Sequence, residues 1–151
     1  MVGKILALDV GSVRIGLAVS DALGITAQGL ETYTRQEENA DINNLISIIK
    51  ENNAVMVVVG LPLNQYGKVG SQAQKMIDFS KVLLESIDIP LVFIDERLTT
   101  SISEKILISA NMDRHQRKKH VDKLAAVTIL QTYLDMSETV RQRQKSISDF
   151  I

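Results

Sequence analysis

Residues 8–21, LDVGSVRIGLAVSD, constrain the fold of this chain more than any other stretch. Lys4 to Val10 is an apolar, β-branched run, Gly11 and Ser12 supply a turn, and Arg14 to Ser20 resumes the strand pattern, which predicts an antiparallel hairpin. The hairpin leaves one carboxylate, Asp9, at the end of its first strand. An acid in that place either closes the turn through its own backbone or is poised to hold a metal or a phosphate.

Beyond the hairpin the hydrophobic period changes from element to element. A third strand is expected over residues 28–34, completing a meander. Ile42, Leu45, Ile46 and Ile49 then repeat at i, i+3, i+4 and i+7, the apolar stripe of a helix that stops near Asn52 and Asn53. Residues 54–59, AVMVVV, are continuously apolar, the pattern of a strand covered on both faces, and Gly60-Leu61-Pro62 ends it. Ser71 is placed to cap a second helix carrying Ala73, Met76, Ile77, Ser80, Leu84 and Ile87, and Pro90 introduces a strand over residues 91–95. Ser101-Ile102-Ser103-Glu104 has capping-box spacing for a third helix ending near Asn111. A last helix is expected from Val121 or Asp122, burying Ala126, Ile129, Leu130, Tyr133 and Leu134. Together these describe an α/β domain: a mixed five-stranded sheet, with a three-strand antiparallel meander plus two parallel strands, flanked by helices. The functional crevice of such a sheet lies beyond the carboxyl ends of its parallel strands, where Asp9, the Gly60 loop and Asp95 or Glu96 all fall.

A chain of 151 residues with 45% hydrophobic content fits one domain over residues 1–151, with an end expected to fray from about residue 138 into the polar RQRQKSISDF. It has no cysteine, which excludes disulfides and zinc–thiolate sites, and Met-Val-Gly-Lys opens into a strand rather than a signal-type apolar run. No apolar run approaches the about 18 residues that suggest a spanning helix, so a cytoplasmic protein with no membrane role is expected. The net charge of -1 argues against coating nucleic acid by bulk charge. Residues 114–123, RHQRKKHVDK, nevertheless gather Arg114, Arg117, Lys118, Lys119 and Lys123 around Asp122. That patch is either a solvated connection between helices or a surface that holds phosphates.

Three segments carry acids or loops suited to chemistry. In VFIDERLTT, residues 92–100, strand alternation puts Glu96 on one face with Val92 and Ile94, and Asp95 on the other with Phe93, so one of the two acids faces the Asp9 side. Positions 122, 126, 129 and 133 share one helical face, which turns Asp122 inward with Ala126, Ile129 and Tyr133. Three acids from separate elements would supply oxygen ligands suited to Mg²⁺ or Mn²⁺. The loop GLPLNQYGKVG, residues 60–70, places Asn64, Tyr66 and Lys68 near a helix start where backbone amides can meet a phosphate, although it holds no Walker pattern.

Four ordered blocks, LDVGSVRIGLAVSD, VGLPLNQYG, DERLTT and RKKHVDKLAAVTILQTYL, together closely resemble the YqgF family, also called RuvX, over nearly the whole chain to about Leu134. Tyr66 stands where members of that family often carry an acid. The resemblance implies an RNase H-like fold and a nuclease that hydrolyses phosphodiester bonds in structured nucleic acid. It nominates Asp9, Glu96 and Asp122 as the catalytic and metal-binding acids for Mg²⁺ or Mn²⁺, with Asp95 as the substitute for Glu96. Arg14 and Arg97 are expected to face phosphate, and Asn64 and the basic residues Arg117, Lys118 and Lys119 complete the expected substrate-binding set. The function implied is processing of the 5′ end of pre-16S rRNA during ribosome biogenesis. Resolution of Holliday junctions in branched DNA uses the same chemistry, and a non-catalytic RNA-binding assembly factor is the reading outside enzymology. ATP-dependent phosphotransfer also starts from an Asp-x-Gly hairpin, but it closes two related domains over the nucleotide and this chain holds no second copy.

Overall fold

The computed structural model describes residues 3–96 and 114–150, with side chains described over 3–96 and 124–150. The hairpin forms: β1 (Lys4–Val10) and β2 (Arg14–Ser20) are antiparallel, with Asp9 opposite Gly16, and the Gly11 amide closes the turn by donating to the Arg14 carbonyl at 2.9 Å. The single third strand expected over residues 28–34 is instead two short ones, β3 (Ala27–Gly29) and β4 (Tyr33–Thr34), both paired with β2. Ala18 faces Gly29 whereas Ile15 faces Tyr33, so an extra residue is inserted between the two pieces and interrupts the ladder as a bulge does.

Helix α1 (Glu38–Glu51) ends at Asn52, and Asn53 in the left-handed region reverses the chain into β5 (Ala54–Leu61). Helix α2 (Ser71–Leu84) follows, and its N-cap is Gly70 rather than Ser71, because the backbone is still extended at 70 and already helical at 71. Strand β6 (Leu91–Asp95) comes next, and the helix expected up to Asn111 lies outside the described residues. Helix α3 (Arg114–Leu134) starts well before the expected Val121 or Asp122. Its basic first part contains no Gly or Pro and is rich in Arg, Lys and Gln, all good helix formers, so the segment is helix and not a connection. A short α4 (Glu138–Gln142), β7 (Lys145–Ser146) and a 3₁₀ turn (Ile147–Phe150) complete the described chain.

Among the described residues the sheet has seven strands, in the order β3-β2-β1-β5-β6-β7, with β4 also on β2. The two strands beyond the expected five are the split of the third and the short β7. Strands β1, β5 and β6 run parallel, so their carboxyl ends share one edge. Alternation sorts the core onto two faces. Leu6, Leu8, Val57, Val59 and Phe93 pack with Leu45 of α1 and Ile77 of α2, while Ala7, Val58 and Ile94 pack with Ala126, Ile129 and Leu130 of α3. Within the polar tail, β7 pairs antiparallel with β6, Phe93 opposite Lys145, and the Phe150 ring meets Phe93 edge-on at 5.4 Å. Among the described residues no helix is long and apolar enough to cross a membrane.

Candidate active site

Asp9 alternates with Leu8 and therefore follows Ala7 onto the α3 face of β1; in the same way Gly60 follows Val58 on β5 and Glu96 follows Ile94 beyond β6. The central position of this row is a glycine. A methyl group at Gly60 would run into the Glu96 carboxyl, with Cδ at 2.9 Å, and into Ile129 Cδ1 at 2.6 Å. The empty place above Gly60 is thus where Glu96 lies, and it reaches across the central strand to hydrogen-bond the Asp9 carboxyl. Alternation alone left Asp95 and Glu96 open; Glu96 makes the contact, and Asp95, on the Phe93 side, acts on it only through charge.

Burial pushes the Glu96 carboxyl up most strongly, the hydrogen bond to Asp9 and the Asp9 charge add to it, and Asp95 adds more, bringing it to about 9. At neutral pH the metal-free pair therefore keeps one proton between its two carboxyls. Among the described residues no group of three His, Asp or Glu side chains is gathered to hold a metal ion. The third expected acid, Asp122, sits on α3 one turn before the buried Ala126, and its side chain lies outside the described residues. Two carboxyls sharing one proton are nonetheless an all-oxygen donor set of the kind Mg²⁺ or Mn²⁺ takes, and once that proton leaves a divalent cation would offset the repulsion between them.

A cleft of about 600 Å³ starts at the acid pair and runs around the carboxyl edge of the sheet to α2 on the opposite face, lined by Asp9, Gly11, Glu96, Arg35, Gln72 and Lys75 among others. Its base is braced by a polar cluster that sequence reasoning missed. Asp41, fully buried in α1, accepts from the Tyr33 hydroxyl at 2.9 Å, the Gln36 amide at 2.8 Å and Arg35 Nε at 3.0 Å. Burial works against its ionised form, but the Gln36 amide, Arg35 and Tyr33 outweigh that and hold the carboxyl below its ordinary value. Arg35 also donates to the Gly11 carbonyl at 2.9 Å and lies 5.0 Å over the Phe79 ring of α2. The turn that follows Asp9 is in this way fastened to both helices of one face. The signal in the sequence was an acid one turn before Leu45, inside the apolar stripe of α1.

The other expected residues are placed as follows. Arg14 opens β2 opposite Thr34, and Asn64 turns its own loop, its side-chain oxygen accepting the amides of Tyr66 at 2.9 Å and Lys68 at 3.0 Å. Neither lines the described part of the cleft. Arg97 lies outside the described residues, and Arg117, Lys118 and Lys119 are on the first turns of α3 with side chains outside them.

A mixed sheet whose first strands form a meander, with helices on both faces, is an RNase H-like fold. Thermus thermophilus RuvC in complex with a Holliday junction substrate has a similar fold, with a TM-score of 0.51 at 11% identity, covering 95% of this chain and 99% of that chain. The human cytomegalovirus terminase nuclease domain gives a TM-score of 0.54 at 13% identity, covering 95% and 88%. Within this class, residues 3–136 match the RuvX family, described as Holliday junction resolvase, and the chain belongs to that nuclease family. Relatives named "Putative pre-16S rRNA nuclease" are 48% identical in Desulforamulus reducens over 87% of this chain and 96% of the relative, and 46% identical in Halalkalibacterium halodurans over 89% and 98%.

Proposed function

We propose that the protein is a single-domain nuclease that depends on a divalent metal and processes the 5′ end of pre-16S rRNA in the cytoplasm, in the setting of ribosome assembly. The observation that carries this reading is the Asp9–Glu96 pair in contact over Gly60, at the carboxyl edge of an RNase H-like sheet. The substrate comes from the relatives named for pre-16S rRNA. Asp9 and Glu96, joined by Asp122 from α3, are the residues that would hold Mg²⁺ or Mn²⁺. When bound, such an ion supplies charge stabilisation at phosphate oxygens and acidifies water.

The chain's own residues do the rest. Asp9 is held by a turn fastened through Gly11 and Arg35, so its carboxylate stays oriented toward the cleft floor. Glu96, once its proton has left, is the carboxylate that positions attacking water and takes up a proton from it. Arg97 and the α3 cations Arg117, Lys118 and Lys119 hold substrate phosphates, Arg14 flanks the hairpin, and Asn64 acts by shaping its loop. The description of the family as Holliday junction resolvase favours one second reading, cleavage of four-way DNA junctions by the same acids.

Incubating purified protein with a pre-16S rRNA fragment that retains its 5′ leader tests this. Cleavage is expected in Mg²⁺ or Mn²⁺ and absent in chelator or in Asp9→Asn. Undiminished cleavage under either condition overturns the catalytic assignment. Binding without cleavage makes the protein an assembly factor, and preference for a four-way DNA junction moves it to the second reading.

A further inference from the structure

The far wall of the cleft carries two cations that the acid centre does not use, set beside two acids that also line it, Glu38 and Asp78. Arg35 reaches the wall from the segment between β4 and α1, and Lys75 from the second turn of α2. Two of Arg35's five N–H donors are spent, one in the ion pair with Asp41 and one on the Gly11 carbonyl, and these bonds, with the Phe79 ring 5.0 Å below Cζ, hold the guanidinium in place. The rest of its donors make no hydrogen bond among the described residues. Lys75 is exposed and, among the described residues, makes neither a hydrogen bond nor an ion pair. The nearest acid along its helix, Asp78, takes the Gln74 side-chain amide at 2.9 Å instead. A lysine on a solvated helix face normally pairs loosely with acids on its own helix. Here it lines a cleft whose other end is a carboxyl pair.

We propose that Arg35 and Lys75 form a phosphate site in this cleft, which takes a backbone phosphate neighbouring the one cleaved at Asp9 and Glu96. The site rests on the nuclease reading for its ligand and deepens it. It would hold the strand by one phosphate on the α2 side of the sheet while the scissile phosphate lies at the acids. Arg35 is suited to the task because its geometry is fixed before the ligand arrives, so little ordering is left for binding to cost. Lys75 supplies a mobile point charge that follows the strand.

The test is a binding experiment on the full chain with Ca²⁺ in place of Mg²⁺, using single-stranded oligonucleotides in which one backbone phosphate at a time is replaced by an uncharged methylphosphonate. Lys75→Ala should weaken binding of the unmodified strand roughly tenfold and lower the log–log salt slope by about 0.7. One methylphosphonate position should weaken wild-type binding and leave Lys75→Ala unaffected. Arg35→Lys keeps the charge and loses the fork, and should show a loss at the same position. Its fold is checked by circular dichroism, and if it does not fold, Lys75→Ala alone decides. An unchanged Kd and slope for Lys75→Ala, or equal penalties at every position in both proteins, overturns the site. A protein that shows the position-specific loss but cleaves nothing keeps the phosphate site and loses the nuclease reading. One that cleaves normally without any dependence on Lys75 does the reverse.

Discussion

At Gly60 the useful property is the missing side chain. Gly60→Ala puts a methyl group against Ile129 Cδ1 and the Glu96 carboxyl, so it should destabilise the protein by about 1–3 kcal/mol and part Glu96 from Asp9. Denaturant unfolding and rRNA cleavage, measured on the same preparation, check both effects. The Glu96 carboxyl itself makes stability depend on pH. Its value is about 9 in the folded protein against 4.5 as a free side chain, so the folded state binds more protons in between. Metal-free protein should therefore be most stable, in this respect, below 4.5 and lose that contribution as pH rises toward 9, whereas Glu96→Gln should flatten the curve; thermal melts in chelator across the range decide it. Asp9→Asn removes the partner charge, so in chelator above about pH 9, where both carboxyls of the wild type are ionised, its melting temperature should equal or exceed that of wild type, and Mg²⁺ should raise the wild type more. A clearly less stable Asp9→Asn with an equal response to metal would make Asp9 a turn acid. Asp9 was legible in the sequence because a carboxylate ending an apolar strand is conspicuous. Periodicity alone did not choose Glu96 over Asp95, since a period of two separates neighbours onto opposite faces without saying which face the core helix covers; the family resemblance made that choice.

Among the elements, the first part of α3 concentrates charge that the rest of the chain lacks. Replacing Arg117, Lys118 and Lys119 with Ala should weaken nucleic-acid binding and lower the log–log salt slope by about 0.7 to 0.9 for each phosphate no longer neutralised, with catalysis at saturation little changed. An unchanged slope would leave these residues to solvent. Hydrophobic period read most elements correctly, because strands covered on both faces and amphipathic helices impose opposite patterns on AVMVVV and on Ile42, Leu45 and Ile49. It failed where geometry is set by a partner strand: the break between β3 and β4 is a register shift against β2, which no local pattern records. The start of α3 was missed for a different reason. Its basic residues are good helix formers but carry no apolar stripe to announce the period.

On the scale of the whole molecule, the order of meander, crossover strands and closing helix was legible because short connections leave few topologies open. The covering of β6 was not, since two residues of β7 are too few to show a period. Phe93 and the β6 backbone depend on that cover. Deleting residues 137–151 should lower the melting temperature and make association depend on concentration, because the exposed strand is then open to pairing with another chain; light scattering with melting curves tests this, and a monomer of unchanged stability would refute it. The same feature has a consequence during synthesis. Lys145 follows Asp95 by some fifty residues, so at ordinary translation rates the edge of β6 waits roughly 3 to 10 seconds for its cover after the strand itself has been made. On a crowded polysome that interval is when neighbouring nascent chains can stitch themselves together, and the arrival of β7 is what ends it.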